Sequence, residues 1–162
     1  MMRVDKWLAD DHIRLESLFR DLLNAADGID QPTLQRVWTQ FEAGLLAHLD
    51  AEEQYLLPRF EKERPDAVRT IRAEHEQIRR LVAELGVSTD LHLLRKRTAE
   101  QLIAALQEHA ERETHSLYPW AEQSTDEPHK VELVEALVNE AKRRALSTSQ
   151  RTLLRDSAQS SG

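Results

Sequence analysis

Six ionisable side chains stand at positions where the hydrophobic pattern of the chain requires Leu or Ile. They are His12, His48, Glu52, His75, His109 and Glu113. Imidazole nitrogens and carboxylate oxygens are natural ligands of transition metals. A metal-free core would leave these groups unpaired, and burial without a partner costs several kcal/mol for each charged group. The residue types and their positions therefore predict a site for a pair of metal ions.

The spacing within two His–Glu pairs supports the same site. Glu52 follows His48 by four residues, and Glu113 follows His109 by four. On an α-helix this spacing places both side chains on one face, one turn apart. Both members of each pair can therefore reach one site.

The chain around these residues is internally repeated. Segment 48–58 matches segment 109–119, with histidine, glutamate, leucine and proline at the same offsets. The pair Asp11-His12 corresponds in the same way to Glu74-His75. The chain therefore looks like two copies of a helical hairpin, each of which supplies one lone histidine and one His-x-x-x-Glu pair.

Four long periodic segments carry these residues. They run from about Asp5 to Ala26, from Pro32 to Leu57, from Pro65 to Gly86, and from after Asp90 to Tyr118. Each has apolar side chains at alternating spacings of three and four, which indicates a helix that faces a core. Short connections between long helices favour antiparallel neighbours. The sequence predicts an all-α fold, an up-down-up-down antiparallel four-helix bundle with an additional C-terminal helix.

That additional helix is predicted after Pro128 and extends to about Ala145. Its apolar stripe consists of Val131, Val134, Val138 and Ala141. We expect it to cover an end or side of the bundle, or to form a dimer contact. The remainder is rich in Ser, Gln and Thr, which is typical of disorder. We therefore expect a helical domain over residues 1–146 and a disordered tail over 147–162.

The composition excludes several classes of protein. With 162 residues, 40% of them hydrophobic, the chain suits one domain. It has no cysteine, which excludes disulfides, zinc–thiolate sites and thiol nucleophiles. A net charge of −7 disfavours nucleic-acid binding. No apolar run suits a membrane span or a signal peptide, so we expect a cytoplasmic protein.

The ordered string His, His-x-x-x-Glu, His, His-x-x-x-Glu resembles the hemerythrin-like (HHE cation-binding) family over about residues 5–120. The resemblance implies two iron ions, bridged by Glu52 and Glu113, with two histidines on each ion. The histidine pairs that it implies are His12 with His109 and His48 with His75. Zinc or manganese could occupy the same ligands, since the metal bound in a cell depends on supply.

The resemblance also shows a departure from the oxygen carriers of that family. Those proteins use a fifth histidine one turn away on the third helix, where this chain has Ile71 and Arg79 around His75. Both ions would then keep an exchangeable position, which suits peroxide, dioxygen or nitric oxide. The charge of two ferrous ions exceeds that of the two carboxylates, which favours an oxo or hydroxo bridge.

We therefore expect a non-haem di-iron protein that binds or reacts with peroxide, dioxygen or nitric oxide, in oxidative or nitrosative stress or iron homeostasis. One alternative is a sensing module for oxygen, iron or redox state that acts through a separate partner. Another is reversible dioxygen binding. Whether the chain is an enzyme, and whether it is a monomer or a homodimer, stays open, and no catalytic residue is assigned.

Some residues near the predicted ligands have two interpretations. Glu16 could be a further ligand or a partner of a ligand, but a solvated or ion-paired role is favoured because its counterpart in the repeat is Arg79. Tyr55 and Tyr118 could lie near the metals, but ordinary packing is favoured. Glu53 is expected at the surface. Surface positions are likewise expected for His92, His115 and His129.

Overall fold

The computed structural model of the chain describes residues 1–26, 28, 30–90 and 96–159, apart from the side chains of residues 25, 89, 90 and 148–159. Every regular element in this part of the chain is helical, which confirms the all-α class. The elements are α1 (Val4–Ala25), α2 (Gln31–Ala51), a π-helical turn (Glu52–Leu56), α3 (Leu57–Phe60), α4 (Pro65–Asp90), α5 (Lys96–His115), α6 (Leu117–Ser124) and α7 (Glu127–Gln159).

Helices α1, α2, α4 and α5 form the four-helix bundle. Helix α1 contacts α2 and α5, and α4 contacts the same two helices, so the four close into a ring. Their connections are short where they are described, which places sequential helices side by side and antiparallel. The predicted bundle is therefore confirmed. The expected start of the fourth helix after Asp90 falls partly on residues 91–95, which lie outside the described residues.

The second helix shows how local chemistry sets its two ends. The Asp30 carboxylate accepts a hydrogen bond of 2.9 Å from the backbone N–H of Thr33, and Pro32 occupies the first turn. Both features stabilise a helix start. The predicted end before Pro58 is wrong, because the chain continues through the π-helical turn into α3. Pro58 lies in the first turn of α3, where a missing N–H costs little.

The core consists of two apolar clusters with polar side chains between them. One cluster joins residues such as Leu15, Phe41, Ile78 and Leu106. The other joins residues such as Leu8, Leu56, Ile71 and Leu117. Along the chain, the predicted metal ligands of each segment fall between a residue of the first cluster and a residue of the second, which for His109 and Glu113 are Leu106 of α5 and Leu117 of α6. The ligands therefore lie in a layer with apolar side chains on both sides.

Helix α7 covers one side of the bundle, where it packs along α2. Its buried side chains include Leu133, Val134 and Leu137. The predicted stripe is wrong in detail, because Val131 is exposed. The two leucines bury more apolar surface than a stripe of valine and alanine would, so the helix turns them inward.

The chain differs from the prediction at three further places. Helix α4 continues past the predicted end at Gly86 to Asp90. Helix α5 ends at His115, and Ser116 has φ −134° and ψ −73°, outside the helical region, before α6 begins. Helix α7 runs past the expected end at Ala145 and keeps residues 147–159 helical, where the composition predicted disorder. This stretch contains neither Gly nor Pro, the two residues that interrupt helices most strongly. The described helices include no stretch with the length and hydropathy of a membrane span.

Candidate metal centre

All six predicted ligands converge in the buried layer between the apolar clusters. His12 comes from α1, His75 from α4, and the two His-x-x-x-Glu pairs come from α5 and from the junction of α2 with the π-helical turn. His12 is 5% exposed and the other five are 0% exposed. The structure therefore brings together the side chains that the sequence placed in one stripe on each helix.

The ligand atoms form two groups in which every atom lies within 4.8 Å of the others. The first group is His12, His48, Glu52 and Glu113, and the second is Glu52, His75, His109 and Glu113. Both glutamates belong to both groups. The ring centroids of His12 and His48 are 4.3 Å apart, and those of His75 and His109 are 4.7 Å apart.

This arrangement corrects the histidine pairs that the resemblance implied. His12 shares a group with His48 rather than with His109, and His75 shares one with His109. The physical reason is the position of the rings, since the ring centroid of His12 lies 4.3 Å from that of His48 and 5.4 Å from that of His109. Each hairpin therefore builds one half of the site.

The two carboxylates lie between the two halves. Glu52 places Oε1 2.8 Å from Nε2 of His48 and Oε2 3.3 Å from Nε2 of His75. Glu113 places Oε1 3.0 Å from Nε2 of His12 and 2.7 Å from Nε2 of His109. Each glutamate therefore faces one histidine from either half, as a carboxylate shared by two cations would.

Four buried atoms of the cluster have no hydrogen bond of acceptable geometry. They are Oε2 of Glu52, Oε2 of Glu113, Nε2 of His75 and Nε2 of His109. An unsatisfied buried polar atom costs about 1–3 kcal/mol, and more when it is charged. All four belong to residues of the second group, whose nitrogen and oxygen ligand atoms lie within 4.8 Å of one another. The residues present therefore fit a pair of transition-metal ions.

Three of the histidines are oriented by carboxylates on the side away from this volume. His48 Nδ1 lies 2.7 Å from Asp11 Oδ2, His75 Nδ1 lies 2.8 Å from Glu53 Oε1, and His109 Nδ1 lies 2.9 Å from Glu74 Oε2. When Nδ1–H donates to a carboxylate, the lone pair of Nε2 is directed at the centre. This arrangement is typical of histidines that bind metal.

Arginines hold these three carboxylates from the outside. Arg14 binds Asp11 at 2.8 Å, Arg79 binds Glu53 at 2.8 Å, and Arg112 pairs with Glu74. The expected surface position of Glu53 is wrong, because its side chain is only 26% exposed and contacts α4. In a bundle, a residue about 100° from the core face points at the neighbouring helix. For Asp11 and Glu74 the sequence does carry a signal, because each directly precedes a predicted ligand histidine at the same place in the repeat.

Tyr118 is also part of the centre. Its hydroxyl donates to Glu52 Oε1 at 2.7 Å and lies 3.2 Å from Glu113 Oε1 and 3.1 Å from Nε2 of His48. The interpretation of Tyr118 as ordinary packing is therefore wrong, because its hydroxyl contacts three of the predicted ligands. Tyr55, in contrast, is half-buried against the apolar cluster that contains Leu8.

The other neighbours take positions away from the centre. Glu16 accepts hydrogen bonds from Arg20 at 2.9 Å and from Gln107 at 2.8 Å, which agrees with the expected ion-paired role. His115 and His129 are exposed, as predicted. His92 lies outside the described residues.

The carboxylates of the cluster favour the positively charged form of three of its four histidines. Burial lowers the pKa values of His48, His75 and His109, but the nearby carboxylates outweigh it and raise them to about 10, 11 and 9. For His12, burial and the positive charge of His48 keep the pKa below its ordinary value. Burial and the two glutamates hold the pKa of Tyr118 well above its usual range, so its hydroxyl stays a donor.

Comparison with known protein families gives one match. The family model of the hemerythrin HHE cation binding domain matches residues 3–121, and it also matches residues 66–146. The first of these ranges contains all six predicted ligands and Tyr118. No curated protein and no solved structure matches the chain.

Proposed function

The chain belongs to the hemerythrin HHE cation-binding domain family, and from this premise we propose that it holds a pair of iron ions and binds or reacts with small oxidants. The observation that carries the proposal is the set of four buried donor atoms without hydrogen bonds, which point into one volume lined by imidazoles and carboxylates. Metal binding as such is indicated both by the family and by these His and Glu groups.

In this proposal each half of the site holds one ion. His12 and His48 are the histidine ligands of one ion, and His75 and His109 are those of the other. Glu52 and Glu113, which belong to both groups, would contribute to holding both ions. Iron is the proposed metal because of the family, and zinc or manganese could bind the same donors. Bound iron would supply redox and Lewis-acid chemistry toward peroxide, dioxygen or nitric oxide.

The surrounding residues favour reactivity over reversible dioxygen binding. Ile71 and Arg79, the residues one turn from His75, cannot serve as a fifth histidine ligand. Ile71 is buried in the apolar cluster, and Arg79 is bound to Glu53 and Asp50. Two halves with two histidines each leave room at both positions for a small ligand. Reversible dioxygen binding is therefore the weaker alternative.

The residues around the centre have three tasks in this function. The apolar clusters on both sides exclude bulk water, which strengthens electrostatic interactions inside the site. Asp11, Glu53 and Glu74 fix the orientation of three imidazoles. Tyr118 presents a hydroxyl donor where the two carboxylates meet. A role in stress or iron homeostasis and a cytoplasmic location belong to the same proposal.

Metal analysis with rapid mixing tests the proposal. The iron-loaded protein is purified without oxygen, its metal content and optical spectrum are recorded, and it is then mixed separately with hydrogen peroxide, dioxygen and nitric oxide. We expect two irons per chain and a spectral change with at least one oxidant. The absence of any reaction with all three would overturn the proposed reactivity. Exposed His129 provides a control variant, His129→Ala, that should behave like wild type.

A chain of ion pairs supports sensing as a second candidate function. Glu53, which orients His75, also binds Arg79, and Arg79 donates to Asp50 at 2.7 Å. Asp50 in turn pairs with Arg144 of α7. A change at His75 could therefore alter the position of the C-terminal helix, where a separate partner could detect it.

Hydrogen exchange measures this coupling. If the chain senses its metal, amide exchange in α7 changes between the ferrous and ferric protein, and Asp50→Asn abolishes the difference. Identical exchange of α7 in both states would remove sensing through this route. Glu132→Gln, an exposed change on α7, is the matched control.

A further inference from the structure

The two halves of the centre are not equivalent, and we propose that the ion held by His12 and His48 is the exchangeable one, whereas the ion held by His75 and His109 is retained. The inference rests on the proposed metal pair. It concerns differences between the two hairpins that the internal repeat makes visible.

The repeat predicts which contacts should be the same in both halves. Residues 48–58 correspond to 109–119, and Asp11-His12 corresponds to Glu74-His75. One pair of contacts follows this symmetry. Asp11 receives Nδ1–H of His48 at 2.7 Å, and Glu74 receives Nδ1–H of His109 at 2.9 Å. The histidines of the two His-x-x-x-Glu pairs are therefore oriented alike.

The lone histidines break the symmetry. His75 Nδ1 donates to Glu53, which Arg79 holds in place. At the corresponding positions in the other half, Thr114 replaces Glu53 and Glu16 replaces Arg79.

Neither replacement provides the missing contact. Thr114 is exposed, and the Glu16 carboxylate is turned toward Arg20 and Gln107. Among the residues that the structure describes, none accepts a hydrogen bond from Nδ1 of His12. His12 is also the one ligand of the six with measurable exposure, at 5%.

A third difference lies in the same half. Tyr118 corresponds to Leu57 in the repeat, and both side chains are buried. The Tyr118 hydroxyl lies 3.1 Å from Nε2 of His48, and its ring is 5.9 Å from that of His12. Leu57 offers no polar group at the matching place. A hydrogen-bond donor for a small incoming ligand is thus available beside His12 and His48.

The missing carboxylate and the exposure of His12 act in one direction. A carboxylate behind a ligand histidine fixes the ring and raises its basicity, and the loss of such a partner typically lowers metal affinity by about 10–100-fold. His12 has no such carboxylate, whereas both histidines of the other half have one. Glu53 is therefore a positioning residue for the retained ion, and its absence beside His12 makes the first ion easier to lose.

Timed removal of metal tests the inference. Protein loaded with ferrous iron is mixed anaerobically with excess 2,2′-bipyridine, and the iron left on the chain is measured over time. We expect two phases of one iron each, the fast phase at least about tenfold faster than the slow one. A crystal of the half-depleted protein should retain its ion between His75 and His109. Loss of both irons in one phase, or retention between His12 and His48, would overturn the inference.

Two variants change the contact in opposite directions. Glu53→Ala should accelerate the slow phase toward the rate of the fast one. The double variant Thr114→Glu with Glu16→Arg places the missing carboxylate and arginine beside His12, and it should slow the fast phase by about tenfold. If the double variant leaves the fast phase unchanged, the inference is wrong, whatever effect Glu53→Ala has on folding.

Two control variants add charge near His12 without forming the designed contact. Glu16→Arg alone introduces the arginine without the carboxylate. His115→Glu adds a carboxylate one residue further along α5, about 100° round the helix. Both should keep the wild-type fast phase, and a slowing equal to that of the double variant would overturn the inference. Protein that binds no iron at all would instead refute the proposed function, so the two failures can be told apart.

Discussion

Three of the four histidines of the centre are held by a carboxylate from another helical element, so the cluster depends on tertiary structure rather than on local sequence. His48 is bound by Asp11 of α1, and His75 is bound by Glu53 of the π-helical turn. The two shared glutamates face histidines from both hairpins. A single substitution at a shared glutamate should therefore disturb both halves of the site.

Removal of a shared carboxylate is the first test at the residue scale. We expect Glu52→Ala and Glu113→Ala each to lose bound metal and to lower the free energy of unfolding by about 3–5 kcal/mol, because the remaining buried groups lose their partner. Metal analysis and thermal unfolding measure both effects. Exposed His115→Ala is the control. Full metal content in both glutamate variants would show that they are not shared ligands.

Removal of the tyrosine hydroxyl tests the part that Tyr118 plays. Tyr118→Phe keeps the ring but deletes the donor to Glu52, so we expect two bound ions, an altered optical spectrum and a loss of about 1–3 kcal/mol in unfolding free energy. Tyr55→Phe is the matched control, since that ring packs against an apolar cluster. A spectrum and stability equal to wild type in Tyr118→Phe would contradict the proposed contact.

At the scale of elements, both hairpins interrupt their second helix just after the His-x-x-x-Glu pair. The first interruption is the π-helical turn before Pro58, and the second is Ser116 before Pro119. Proline cannot donate the hydrogen bond of a regular turn, so the preceding backbone adopts another geometry. Such irregular turns are frequent at functional sites. Here the second one places Tyr118 in the centre.

The close approach of α1 and α2 gives a prediction about packing. A Cβ atom at Gly44 would lie 2.9 Å from Leu15 Cδ2, whereas one at Gly86 would meet its nearest atom at 3.4 Å. Alanine gains about 1 kcal/mol over glycine inside a helix, but overpacking costs about 1–3 kcal/mol. Chemical denaturation should therefore show Gly86→Ala stabilised by about 1 kcal/mol and Gly44→Ala destabilised by about 1 kcal/mol. The reverse order would contradict the packing described at Leu15.

Much of the fold and the centre could be predicted from the sequence, because hydrophobic periodicity records which helix face is buried. The six predicted ligands are polar residues at apolar positions of that periodicity, so they can be identified from the sequence. Glu53 and Tyr118 could not be assigned in this way, since their roles depend on which helix lies opposite. The histidine pairs could not be predicted because they depend on the positions of the rings in space. The continuation past Pro58 could not be predicted because it depends on the geometry of the π-helical turn.

At the scale of the whole molecule, apolar layers above and below the ligands and α7 along one side enclose the centre. Leu133 and Leu137 of α7 are each 2% exposed. Burial of such side chains stabilises by about 1.5–3 kcal/mol each. The first part of α7 therefore contributes to the stability of the bundle and to the exclusion of water from the ligand layer.

Truncation tests the proposed domain boundary. A chain of residues 1–146 keeps these buried leucines, so we expect two bound ions and a melting temperature within about 4 °C of the full chain. A chain of residues 1–126 lacks α7 and should lose several kcal/mol of stability. Calorimetry and metal analysis compare the two. Unfolding of the 1–146 chain would show that residues 147–162 belong to the domain.

Anomalous diffraction at the iron edge from crystals of the iron-loaded protein tests the central claim most directly. We expect two iron peaks, one between His12 and His48 and one between His75 and His109, with Glu52 and Glu113 in contact with both. An iron-replete crystal with no peak among these six side chains, or with iron bound elsewhere on the chain, would contradict the account.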